Sequence, residues 1–254
     1  MTIELDFLPQ TAFAFLMVFA RIGAISMALP GIGDRTVPPR IRLVFALALS
    51  LIMLPLMLDL LPTLPRALNA MVAALVGELL IGLAIGFAVR LIISVIQIAG
   101  MAIASQTGLA FAQSVDPTLG SQGTMVSSFL AVLAVAMIFA TDLHHLMLKA
   151  MYDSYTLFKP GTGFPSGDFA HAALDTVETG FRVAVQLAAP FLVFGLIFYL
   201  GLGVLTRLIP QVQVFFVAMP ANIAIGFILL LLLIGTLMMW FLEFFAQALQ
   251  PFLL

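Results

Sequence analysis

The chain of 254 residues contains no cysteine. Disulfides, thiolate nucleophiles and cysteine-held zinc are excluded, and the redox compartment leaves no trace. Charge is also scarce: Asp, Glu, Lys and Arg make up 9% of residues, where a soluble domain carries about 25%. Ten basic against twelve acidic residues give a net charge of −2, so there is no broad basic surface for nucleic acid. No G-x-x-x-x-G-K-[ST] phosphate loop and no H-E-x-x-H metal helix is present. Gly201-Leu-Gly-Val-Leu-Thr partly matches a dinucleotide glycine pattern, but it lies inside an apolar run and follows no strand. The sequence supports neither a cofactor nor an enzymatic site.

What is abundant is hydrocarbon. Hydrophobic residues reach 63% and mean hydropathy is +1.21. The composition excludes a soluble enzyme and a disordered chain, and it predicts an all-α polytopic membrane protein. Glu4 and Asp6 precede the first apolar run and no basic residue appears before Arg21, the wrong charge for a signal peptide. That run is expected to be retained.

A membrane-crossing helix needs about 20 apolar residues. The runs are Phe7–Pro30, Leu43–Leu61, Ala67–Ser105, Met125–Ala140, Phe181–Leu205 and Val212–Leu242. The third would reach about 58 Å as one helix. It must either break near Gly86–Arg90, giving a seventh segment, or project from the bilayer. Alternation of period two is absent, which argues against a barrel. No internal repeat is visible, so residues 1–254 are expected to form one domain. Residues 106–124 form a polar, glycine-rich loop, and 141–180 a polar connecting segment that holds all three histidines and both lysines. Arg35, Arg40 and Arg42 place the loop 31–42 in the cytoplasm, with the uncharged 106–124 loop and the acidic N-terminus on the other side.

Several constellations invite two readings. Glu78, Gly82, Gly86 and Arg90 recur every four residues and contain a GxxxG step. They serve either ordinary helix packing or a face turned to a partner subunit or a lumen. Arg90, Ser94, Gln97, Met101 and Ser105 stay within about 80° on one helix face, a polar stripe that does not suit lipid. His144 and His145 follow Asp142, but adjacent helical residues point about 100° apart, so a structural role is expected rather than a shared metal. Gly108 to Gly123 is nearly uncharged yet carries Phe111, Val115 and Leu119. Non-helical backbone at membrane depth must be buried in protein or line a cavity, so a plug or re-entrant loop is expected. Arg207 and Pro210 mark a tight break.

Four ordered stretches resemble the FliR/SctT family, the R/T subunits of the type III secretion export gate. They are Phe19-Ala-Arg-Ile-Gly-Ala through Val37-Pro-Pro-Arg-Ile-Arg-Leu, and Gly108-Leu-Ala-Phe-Ala-Gln-Ser-Val-Asp-Pro. Asp142-Leu-His-His-Leu through Pro160 follows, and then Ala189-Pro through Gly203-Val-Leu-Thr-Arg-Leu-Ile-Pro-Gln-Val-Gln-Val-Phe and Met219-Pro. Two details depart from the family: Gln213 where asparagine is common, and Ala221-Asn222 where a basic residue often follows the proline.

The resemblance implies one copy among several P and Q subunits (FliP and FliQ), with FlhB and FlhA as neighbours and unfolded flagellar proteins as transient substrates. It implies helical hairpins stacked in a cone, in the inner membrane at the flagellar basal body. It also implies a pore plug at Gly108, Phe111, Val115, Asp116, Pro117, Leu119, Gly120 and Gly123. Glu78, Gly82, Gly86, Arg90, Ser94 and Gln97 are expected at subunit contacts or the lumen, and Arg207, Pro210 and Gln211 at a structural turn. The wording around Val115-Asp-Pro favours the flagellar over the virulence branch. A secondary transporter is the alternative from another class, resting on Pro190, Pro220 and the charges Arg21, Glu78 and Arg90.

Overall fold

The computed structural model describes residues 7–34, 36–109, 125–209 and 214–253. Among these there are seven α-helices and no strand: α1 Phe7–Ser26, α2 Pro39–Met57, α3 Leu68–Gln106, α4 Met125–Ala140, α5 His144–Leu157, α6 Ser166–Leu208 and α7 Val214–Leu249. Short 3₁₀ turns follow α2 and α7. Five helices are long and apolar enough to cross a membrane, and α4 with α5 makes a sixth if the broken pair counts as one span. The all-α polytopic fold expected from composition is the fold observed.

The sequence punctuates these helices clearly. α2 begins on Pro39, whose fixed φ suits the first helical position and whose missing N–H leaves nothing unbonded there. Pro38 before it is extended, as a residue preceding proline should be. Pro62 and Pro65 stop the chain from re-entering helix until Leu68. α6 runs 43 residues with Pro190 inside it, so that proline costs one backbone hydrogen bond without ending the helix.

One open choice is settled and one expectation is refined. α3 is a continuous 39-residue helix with no break at Gly86–Arg90. It is about 58 Å long and exceeds the ~30 Å hydrocarbon core. The polar stretch 141–180 is not merely a connector. It contains all of α5 and the first turns of α6, joined by a turn in which Gly161 and Gly163 take φ of +83° and +88°. Those angles are open to glycine and strained for other residues.

The chain packs as two compact units. One comprises Met1–Ile92, Asp142–Thr176 and Ala246–Leu254; the other comprises Ile93–Thr141 and Val177–Phe245. In the first, α1 packs on α2, and Met17, Ile22, Ile25, Ile81, Met151 and Tyr155 are buried. In the second, Ile96, Ala99, Leu130, Ala134, Phe191 and Phe241 are buried. Large apolar side chains also stand outward, among them Val44, Leu51 and Ile52 on α2 and Leu196, Ile197 and Leu200 on α6. Only 22% of the most apolar window of either helix is buried within the chain, so these faces need lipid or another subunit.

Candidate functional site

A buried arginine organises the first unit. Arg21, on α1, is fully buried. Its Nε donates to Glu78 Oε2 on α3 at 2.6 Å. Nη1 donates to the Ser154 carbonyl at 2.7 Å, and Nη2 to the Phe158 carbonyl at 2.9 Å. The guanidinium lies 4.2 Å from the centroid of the Tyr155 ring. The two carbonyls belong to the end of α5, where the Ser154 carbonyl also accepts the capping N–H of Phe158 at 2.9 Å and the helix dipole favours positive charge. One planar fork therefore joins three helices. Leaving one member of such a pair buried alone costs about 3–5 kcal/mol.

The four-residue repeat on α3 meets its partner inside the same chain. A Cβ at Gly82 would stand 2.5 Å from the Arg21 carbonyl oxygen, and one at Gly86 2.5 Å from Ala28 Cβ. The GxxxG step thus lets α3 lie against α1 and the turn after it. Arg90 Nη2 donates to the carbonyls of Met27 (3.2 Å) and Gly33 (3.1 Å) in that turn. Glu78, Gly82, Gly86 and Arg90, read either as ordinary helix packing or as a face turned to a partner or lumen, make these contacts within the first unit. The three charges behind the transporter reading, Arg21, Glu78 and Arg90, are all spent on intrachain contacts.

Further along α3 the polar stripe does look outward. Gln97 and Ser105 are exposed, Met101 is exposed and Ser94 is half-buried. Ser105 turns its hydroxyl back to the Ala102 carbonyl at 2.7 Å.

The stripe ends at the loop predicted as a plug, and the described residues that flank this loop are held in the second unit. At its start, Thr107 is buried and its Oγ1 donates to the Ile103 carbonyl at 2.9 Å. Gly226 on α7 makes room for it: a Cβ there would lie 2.5 Å from Thr107 Cβ. Gly108 has φ +73°, and Asn222 Nδ2 lies 3.1 Å from where its Cβ would stand. The same amide donates to the Gln106 carbonyl at 3.3 Å. On the far side, Ser127 Oγ donates to the Gln97 carbonyl at 3.0 Å. A Cβ on Gly100 would sit 2.6 Å from Ser127 Cα. Phe111, Val115, Asp116, Pro117, Leu119, Gly120 and Gly123 lie outside the described residues, as do Pro210 and Gln211. Arg207 occupies the exposed last turn of α6.

Sequence reasoning missed the seats. Gly100, Gly195 and Gly226 are isolated glycines in apolar helices, the signal for close helix contact, yet none belongs to a recognisable motif. Asn222, 3% exposed, stood out only as a departure from a pattern. An arginine and a glutamate at membrane depth each demand a partner, but 57 residues separate Arg21 from Glu78 and nothing in the sequence pairs them.

The sequence matches the family described as Bacterial export proteins, family 1, over residues 12–248. The flagellar biosynthetic protein FliR of Caulobacter vibrioides is 44% identical, covering 88% of this chain and 90% of that protein. The FliR of Bacillus subtilis is 32% identical over 86% of this chain and 85% of its own. The Yop proteins translocation protein T of Yersinia pestis is 28% identical over 54% of this chain and 53% of its own. The chain belongs to the bacterial export proteins, family 1, and is a membrane-embedded component of type III protein export.

Proposed function

We propose that the chain is a structural and gating subunit of the flagellar type III export channel, and that residues 108–123 plug its pore. The carrying observation is the pair of seats. Thr107 and Gly108 are fixed on α7, and Ser127 is fixed on α3, so the segment between them is tethered closely at both ends. Such a segment can shift aside and return without detaching. Phe111, Val115 and Leu119 are the side chains that would seal against ions. The exposed stripe at Gln97, Met101 and Ser105 would line a wet path or a neighbouring subunit. The outward apolar faces of α2 and α6 fit a chain surrounded by the P and Q subunits, FliP and FliQ, with FlhB and FlhA beside it. Inner membrane at the basal body is the corresponding location. The chain acts without catalysis and the driving energy comes from elsewhere, since the sequence carries no phosphate loop.

The test is deletion of Leu109–Leu119 in cells. The expected outcome is leakage of small ions with the export apparatus still assembled, read by membrane potential and by co-purification of the other subunits. An intact permeability barrier in an assembled mutant removes the plug.

A further inference from the structure

The turn between α4 and α5 gathers side chains of metal-ligating type to which the proposed function assigns no role. Asp142, His144 and His145 each offer one ligand atom, and these atoms lie within 4.8 Å of one another. Adjacent residues on a regular helix would diverge by about 100°. Here the helix has only begun at His144, and Asp142 before it takes φ +60°, in the left-handed region. That reversal folds the turn back toward the first turn of α5. His145 Nδ1 comes to 3.2 Å from the Asp142 carbonyl oxygen and 3.9 Å from its Oδ1. The imidazole centroids of His144 and His145 are 4.1 Å apart and tilted by 34°.

We propose that Asp142, His144 and His145 bind one divalent transition-metal ion of the zinc class. Two imidazoles and one carboxylate are the donor set of such borderline ions. Calcium takes six to eight oxygens, and magnesium keeps an oxygen octahedron, neither of which one carboxylate supplies. Tetrahedral bonds of about 2.0–2.2 Å put ligand atoms roughly 3.4 Å apart. The set must therefore close by a little over 1 Å. The Asp142 and His145 side chains are 77% and 67% exposed and free to rotate that far. A bound ion would pin the turn, with its fourth position open to water or to a carboxylate of another subunit.

The test uses the full chain, purified in detergent with a tag that contains no histidine and stripped with a chelator. Titration with Zn²⁺ by calorimetry should show one ion bound per chain, no heat with Mg²⁺, and a rise in melting temperature on binding. His144→Ala and His145→Ala should each remove the site, and His171→Ala should leave it unchanged. Asp142→Gly is the variant that separates binding from folding. Glycine accepts a positive φ without strain, so the chain should keep its melting temperature while zinc binds at least about tenfold more weakly, the loss that even outer-shell changes produce. Failure of the wild type to take up Zn²⁺, or unchanged uptake in the His144→Ala/His145→Ala double variant, overturns the proposal.

Discussion

Both units use close glycine contacts, at Gly82 and Gly86 in the first, but among the described residues only the first adds a fully buried ion pair. The first is fastened at one polar centre, where Arg21 hydrogen-bonds Glu78, Ser154 and Phe158 and lies against Tyr155. The second is fastened by small residues. Gly100 admits Ser127, Gly226 admits Thr107, Gly195 admits the Gln106 side chain and Gly180 admits Val95. A buried ion pair is nearly all-or-none: its members satisfy each other or cost several kcal/mol. Glycine contacts are graded, because each loses only dispersion as helices separate. The residues that flank the 110–124 segment belong to the second unit. The contrast is between a unit with one buried charged centre and a unit held by several small, separate contacts.

The largest expected effect breaks the charged centre. Arg21→Met leaves Glu78 buried without its partner and should destabilise the chain by about 3–5 kcal/mol. That is a large share of the 5–15 kcal/mol typical of folded proteins. Thermal unfolding in detergent, followed by helical circular dichroism, would read it. The double variant Arg21→Met/Glu78→Leu should recover much of the loss, because apolar replacement of a buried pair is often neutral. An unchanged midpoint in Arg21→Met would mean the pair does not organise the first unit.

Gly100→Ala probes the second unit at its stiffest contact. The new Cβ would meet Ser127 Cα at 2.6 Å, and a backbone atom yields only if α4 moves. Overpacking of this kind costs about 1–3 kcal/mol. Because the same contact holds the first turn of α4, which follows the loop, the expected signature under the proposed function is a modest fall in midpoint together with a raised ion leak in cells. A fall in midpoint with a normal leak would uncouple the seat from the seal. Gly108→Ala is milder. Forcing a side chain into φ +73° costs about 1–2 kcal/mol. Gly108→Asn should cost less, since asparagine tolerates that region. If alanine and asparagine behave alike in the same melting assay, the left-handed turn is not what fixes the loop's first residue.

These contacts show how far the sequence could be read. The all-α membrane fold followed from composition and run length, and each apolar run became a helix, although α6 begins about 15 residues before its run and α7 ends about seven after its own. α3 was harder, because a run too long for the bilayer left open both a break and a helix that projects from it. What keeps it whole is tertiary. Gly82 and Gly86 weaken the helix locally, but each lies against α1, and Arg90 ties the same stretch to the turn beyond. The polar stretch 141–180 misled in the opposite direction, since low hydropathy hid α5. The face of α5 that carries Met147, Met151, Ser154 and Tyr155 is buried. Spacing revealed which residues share a helix face. It could not reveal that Glu78 meets Arg21, because that pairing is set by how α1 and α3 cross.

The smallest effect separates glycines along α3 itself. Gly77 lies one residue before the buried Glu78, yet a Cβ there meets nothing within 4 Å. Gly82, five residues on, is hard against the Arg21 carbonyl. Gly77→Ala should stabilise the isolated chain by about 0.5–1 kcal/mol, because alanine loses less conformational freedom in a helix. Gly82→Ala should do the reverse. Melting curves of the two variants side by side test whether close packing, rather than glycine as such, fastens the first unit. The same Gly77→Ala chain should then be assembled with the other export subunits. If it melts higher alone but assembles less well, the open space beside Gly77 is a seat for a neighbouring subunit, of the same kind that Gly100 and Gly226 provide within the chain.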